Sequence, residues 1–197
     1  MSKIQSVIKL SFKEYIDVWS DMILTFYQQG LSNDSLLEDM KLTADLKSQF
    51  ALELATVLTV VANLSFQAKP KMLTSEKNLE KLRSGILFDA YEKIFSDGDE
   101  AFLSSCKNLY ENRYRIFEQL CKKVYSKDPA VRQEDLIGFA RYLVGQVCSD
   151  AETNHSVSLE QLGILLSVAT DTFIRLVENT AQDTMQLDGK PSFTVKK

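Results

Sequence analysis

With 197 residues, 45% of them apolar and 25% charged, the chain has the composition of a folded protein and the length of one domain, so it needs neither a disulfide nor a metal to hold it together. Seven Gly and three Pro are few, which favours helices over a sandwich or barrel, and a formal charge of -4 argues against a general nucleic-acid binder. Cys106, Cys121 and Cys148 show no CxxC spacing, and no signal-like apolar run opens the chain; together these point to a cytoplasmic protein with free thiols.

Between Gln5 and Gln28, the residues Ile8, Phe12, Tyr15, Ile16, Trp19, Ile23 and Phe26 recur at three- and four-residue steps, which predicts one amphipathic helix. Gly30 is expected to close it as a left-handed cap. Asn33 or Asp34 then opens a short segment, Ser35 to about Lys41. The next stretch, Thr43 to about Gln67, organises the chain. Its centre, Phe50 to Phe66, has no Pro or Gly and is apolar on nearly every side. A surface helix needs only one apolar stripe, so this one must be surrounded by others. Glu53, Thr56, Thr59 and Asn63 interrupt it, and it lacks the length and flanks of a spanning helix, so it reads as a buried core rod with no membrane role.

Lys69-Pro70 ends the rod, and Thr74 or Ser75 caps a helix carrying Leu79, Leu82, Ile86, Ala90 and Ile94 on one side. Its other side bears a second aromatic stripe, Phe88, Tyr91 and Phe95. The Asp97-Gly98-Asp99 turn leads into a helix from about Glu100 to Tyr125, with Cys106, Leu109, Phe117, Leu120, Cys121 and Val124 on its apolar arc. Asp128-Pro129 signals another helix start, and Gly138 and Gly145 behind it, one heptad apart, suggest a close backbone contact. Ser158 to Gln161 has the form of a capping box, opening a last helix through Leu162, Leu165, Leu166, Ala169 and Phe173 to about Gln182. From 184 to 197 no helical period remains and a disordered tail is expected, although Phe193 and Val195 alternate with polar residues and could add as a strand to a partner. The predicted fold is a single all-α domain over 1–183, an irregular bundle of six to seven helices around the 43–67 rod.

Chemical motifs are sparse. Glu152 and His155 give one Glu-x-x-His spacing where a di-iron bundle needs two, and His155 is the only histidine, so no metal, cofactor or catalytic residue is assigned. Neither GxGxxG nor GxxxxGK[ST] occurs. The basic stretch Lys107 to Arg132 interleaves tyrosines, yet Lys107, Glu111, Arg115, Glu118 and Lys122 share one face at salt-bridge spacing, which reads as a solvated surface and not a polyanion site. Arg113 falls inside the apolar arc and Glu53 inside the rod. Buried charges must be paired or line a wet pocket, which makes these two the candidates for a ligand pocket. Phe88, Tyr91 and Phe95 are the interface candidates. The leading functional expectation is a non-enzymatic, self-associating helical interaction module with a protein partner or a second copy. The alternative is a sensor or carrier of a small amphipathic or anionic ligand held between helices, and an enzyme of unknown class is the third reading.

Overall fold

A computed structural model describes residues 7–67, 76–120, 129–148, 156–181 and 192–196. These form seven helices: α1 (Phe12–Leu31), α2 (Asp34–Met40), α3 (Ala44–Gln67), α4 (Glu76–Ile94), α5 (Glu100–Leu120), α6 (Pro129–Val147) and α7 (Ser156–Asn179). The architecture is all-α, with α3 as the expected central rod: it packs against α1, α4, α5, α6 and α7. From Glu53 to Val61 every side chain of α3 is buried. Its hydroxyl groups are satisfied locally, because Thr56, Thr59 and Ser65 each donate to the carbonyl four residues earlier, at 2.8 Å.

The helix ends follow local chemistry in most places. Asn33 Oδ1 accepts from the Leu36 amide at 3.0 Å, Thr43 Oγ1 from Leu46 at 3.4 Å, and Asp99 Oδ1 from Phe102 at 2.8 Å, while α6 opens on Pro129. Ser158 is different. Helix α7 begins two residues earlier, and Ser158 is not its own cap but a donor to Asp39 of α2: its amide and hydroxyl reach Asp39 Oδ2 at 3.2 and 2.6 Å. A carboxylate there also suits the positive end of the helix dipole.

Gly30 does not act as a left-handed cap. It lies inside α1, and the left-handed residue is Lys41, the C-cap of α2 at φ 49. Gly30 is needed for space: a Cβ there would stand 2.6 Å from Leu54 Cδ2 and 3.0 Å from Leu165 Cδ2, at the point where α1, α3 and α7 meet. Gly138 reverses the expectation of a close contact, with nothing within 4 Å of its would-be Cβ, and Gly145 is exposed.

Helix α1 starts at Phe12, seven residues later than the periodicity suggests, since Val7–Ser11 forms a strand, β1. It pairs antiparallel with β3 (Ser192–Lys196), which also pairs with β2 (Thr180–Ala181). Thus part of the stretch expected to lack regular structure is a strand, with Val195 opposite Ile8 and Phe193 opposite Leu10. Val7 and Ile8 are β-branched, and a ready partner strand outweighs a helical period that is weak at its first residues. The Lys69-Pro70 and Thr74/Ser75 signals, Cys121, Asp128, and Glu152 with His155 lie outside the described residues, as do 182–191.

The core is aromatic at its centre. Trp19 lies between Phe66 and Phe173, with ring centroids 4.3 and 5.2 Å away and planes nearly parallel. Its indole nitrogen is buried with no acceptor among the described residues.

Candidate functional site

Arg113 and Glu53, singled out separately in the sequence, face each other. Arg113 Nε donates to Glu53 Oε2 at 2.7 Å and Nη2 to Oε1, a bidentate ion pair; Nη1 donates to the Tyr142 hydroxyl at 3.2 Å and Nη2 also to Gln146 Oε1 at 3.3 Å. Glu53 is 3% exposed. The hydrogen bonds to Glu53 raise the guanidinium above its ordinary value, more than burial lowers it. Every guanidinium nitrogen thus has a partner inside the protein, and the group ties α3, α5 and α6 together. Neither residue lines the cleft between α4 and α5, the small one at Thr59 and Phe66, or the one at the Asp97-Gly98-Asp99 turn.

The aromatic stripe on α4 divides. Tyr91 is buried, its hydroxyl 3.2 Å from Thr56 Oγ1, and Phe95 packs edge-on against Phe102 at 5.3 Å. Both belong to a small second core with Ala55, Leu87 and Cys106. Only Phe88, at 41%, is substantially exposed, with Lys107 Nζ 5.4 Å from its ring centre. The structure therefore does not bring the three together on one free face.

A different free face lies on α7. Val157, Ile164 and Val168 are 47, 55 and 51% exposed, and their spacing of seven and four residues aligns them on one stripe. The buried residues Leu162, Leu166, Ala169 and Phe173 occupy the opposite side, on α3 and α1. Beside the stripe, α6 packs through Ile137 against Gly163, and Arg132 of α6 reaches Asp171, seven residues after Ile164 and on the line of the stripe itself, in an ion pair; Gly145 of α6 is exposed.

Helices α4 and α5 meet through Phe95 and Phe102 beside their connecting turn, and both pack on α3. The wedge between them is a cleft of about 360 Å³, floored by Asn63 and Tyr110. Arg83 and Phe88 stand on its α4 wall, Lys107, Tyr114 and Arg115 on its α5 wall. Tyr110 and Tyr114 also pack against the main core, whereas Leu120, expected in the core, is 43% exposed. Burial pushes the Tyr110 phenol above its ordinary value despite a hydrogen bond from the Asn63 amide, so it stays protonated.

Burial also raises the Cys106 and Cys148 thiols, away from the thiolate form. Among the described residues no three His, Cys, Asp or Glu side chains are grouped to hold a metal ion. No family model, curated protein or solved structure matches the chain.

Two surfaces were missed by sequence reasoning. The α7 stripe could have been found on a helical wheel, since Val157, Ile164 and Val168 stand opposite the leucine face. The α4–α5 cleft had no such signal, because it depends on how far two helices splay.

Proposed function

We propose that this chain is a protein-interaction module that pairs with a second copy of itself through the outer face of α7, and that binding, not catalysis, is its task. The observation that carries this reading is a mismatch between composition and burial. Both α3 and α7 are long and apolar enough to cross a membrane by composition, but α3 is 78% buried over that stretch and α7 only 39%. A core helix hides such a surface, and a helix that leaves it in water has a further contact to make.

The charges around the stripe favour a copy of the same helix over lipid. Glu160 lies near its start and Arg175 near its end, both exposed and on the same side as Ile164 and Val168. Hydrocarbon would have to take up both ions, at several kcal/mol. An antiparallel two-fold pairing instead sets Ile164 of one copy against Val168 of the other and brings Glu160 within reach of the other's Arg175 at both ends. A cytoplasmic setting belongs to the same reading, in keeping with the free Cys106 and Cys148.

Sedimentation equilibrium tests it. The wild type is expected as a dimer, weakened at least about tenfold by Ile164→Lys, because each copy loses roughly 1 kcal/mol of aliphatic burial and gains a buried charge. Glu160→Lys is expected to weaken the dimer and Glu160→Lys with Arg175→Glu to restore it. A monomeric wild type, partition of the chain into lipid vesicles, or a dimer indifferent to Ile164→Lys would each overturn the proposal.

A further inference from the structure

The cleft between α4 and α5 lies apart from the α7 face, and its lining has a definite chemical character. Three cations reach it, Arg83 from α4 and Lys107 and Arg115 from α5, against two acids, Glu80 and Glu111. Glu80 stands 3.9 Å from Arg83, while among the described residues neither Lys107 nor Arg115 has an ion-pair partner. The arginine of the opposite wall is partly withdrawn from water, its side chain 15% exposed. A cation in such a place gains more from an anion than it would on an open surface, since less water screens it.

Apart from the polar Asn63 and Ser84, the rest of the lining is aromatic and aliphatic. Tyr110 and Tyr114 lie 5.8 Å apart with their rings tilted at 35°, and Leu87 and Phe88 face them from α4. At about 360 Å³ the cleft falls within the range of small-molecule sites, with room for one or two rings. Aromatic walls alone would suit an organic cation as well as an anion. The excess of Arg and Lys over Glu decides the sign, and Lys107 already stands over the Phe88 ring.

We infer that the α4–α5 cleft binds a small aromatic acid, its carboxylate held by Arg83, Lys107 and Arg115 and its ring packed against Phe88, Tyr110 and Tyr114. Bidentate guanidinium contacts favour a planar carboxylate, and the ring stacks on surfaces that the fold leaves half-covered.

Calorimetric titration of the full chain with 2-naphthoate tests this, with 2-naphthamide as the uncharged control of the same shape. Saturable one-to-one binding of the acid is expected, with the amide bound at least about tenfold more weakly. Lys107 and Arg115 are exposed, so Lys107→Met and Arg115→Gln leave the fold intact. Each is expected to weaken 2-naphthoate by about tenfold, with no change in the sedimentation of the chain. No saturable binding of 2-naphthoate, equal binding of acid and amide, or undiminished binding by Lys107→Met and Arg115→Gln would overturn the inference.

Discussion

Removing the arginine from the Arg113–Glu53 pair isolates the energetic role of a charge built into the core. In Arg113→Met the aliphatic stem is kept, but Glu53 loses both guanidinium hydrogen bonds while remaining 3% exposed on α3. Breaking a buried ion pair by deleting one partner costs about 3–5 kcal/mol, chiefly through the uncompensated charge that stays behind. Water can reach Arg113, whose side chain is 13% exposed, so the lower end of the range applies, about 3 kcal/mol. With a urea m-value of about 2 kcal/mol/M, the unfolding midpoint should fall by roughly 1.5 M. Trp19 is the only tryptophan and is fully buried, so its fluorescence reports the transition. Replacing both partners, as Glu53→Leu with Arg113→Met, should recover all but about 1 kcal/mol of the loss, because an apolar pair suits the surroundings of α3 as well as an ionic one. A cost below about 1 kcal/mol for Arg113→Met, or a double variant no more stable than the single, would refute the claim that buried Glu53 depends on its partner.

Two glycines should respond in opposite directions to the same change. Gly30→Ala forces a methyl against Leu54 and Leu165 and is expected to cost about 1 kcal/mol net, overpacking of about 2 kcal/mol less the gain in helix propensity, whereas Gly138→Ala meets nothing within 4 Å and should stabilise by up to about 1 kcal/mol; thermal melts of the two variants decide. The charged edge between α1 and α4 should set the pH limits of stability. Lys93 Nζ lies 2.7 Å from Asp21 and 2.9 Å from Asp89, and the Ser20 hydroxyl also donates to Asp89. Burial raises the Asp89 carboxyl, but Ser20 and Lys93 lower it by more, so its contribution is present above the unfolded pKa of about 4 and is lost as pH falls through the lower folded value. For Lys93, burial lowers the ammonium and the contacts with Asp21 and Asp89 raise it by more, so its contribution holds below about pH 10.5 and fades as pH rises through the higher folded value. Lys93→Met should flatten both limbs of a stability–pH curve measured by urea unfolding; an unchanged acid limb would show that Asp89 is held by other groups.

How much of this was legible in the sequence depended on how local the cause was. The rod could be read because an all-round apolar helix has only one environment open to it, and α3 spans Ala44–Gln67 against an expected 43–67. Asn33 and Pro129 act on their own helix ends and were equally plain. Gly30 misled because a glycine that ends a helix and one that lets a second helix approach look alike in sequence, and only the positions of Leu54 and Leu165 separate them. Asp39 as the acceptor for Ser158 joins α2 to α7, beyond any local pattern. Arg113 and Glu53 could each be flagged as charges on apolar faces, yet Tyr142 and Gln146, which complete the cluster, carried no signal of their own. The exposed side of α7 was written in its periodicity, but the stronger leucine face drew the reading.

The stacking of Trp19 between Phe66 and Phe173 has a consequence for the order in which the chain is made. Its two faces are covered by α3 and by α7, and α7 leaves the ribosome after α1 to α6. A nascent chain that has released α1 to α6 can cover one face of the indole and must wait for the other. The same late arrival closes the gap beside Gly30. Until then the emerging chain presents an open aromatic face, the kind of surface that chaperones hold during synthesis, and completion of α7 is the event that withdraws it.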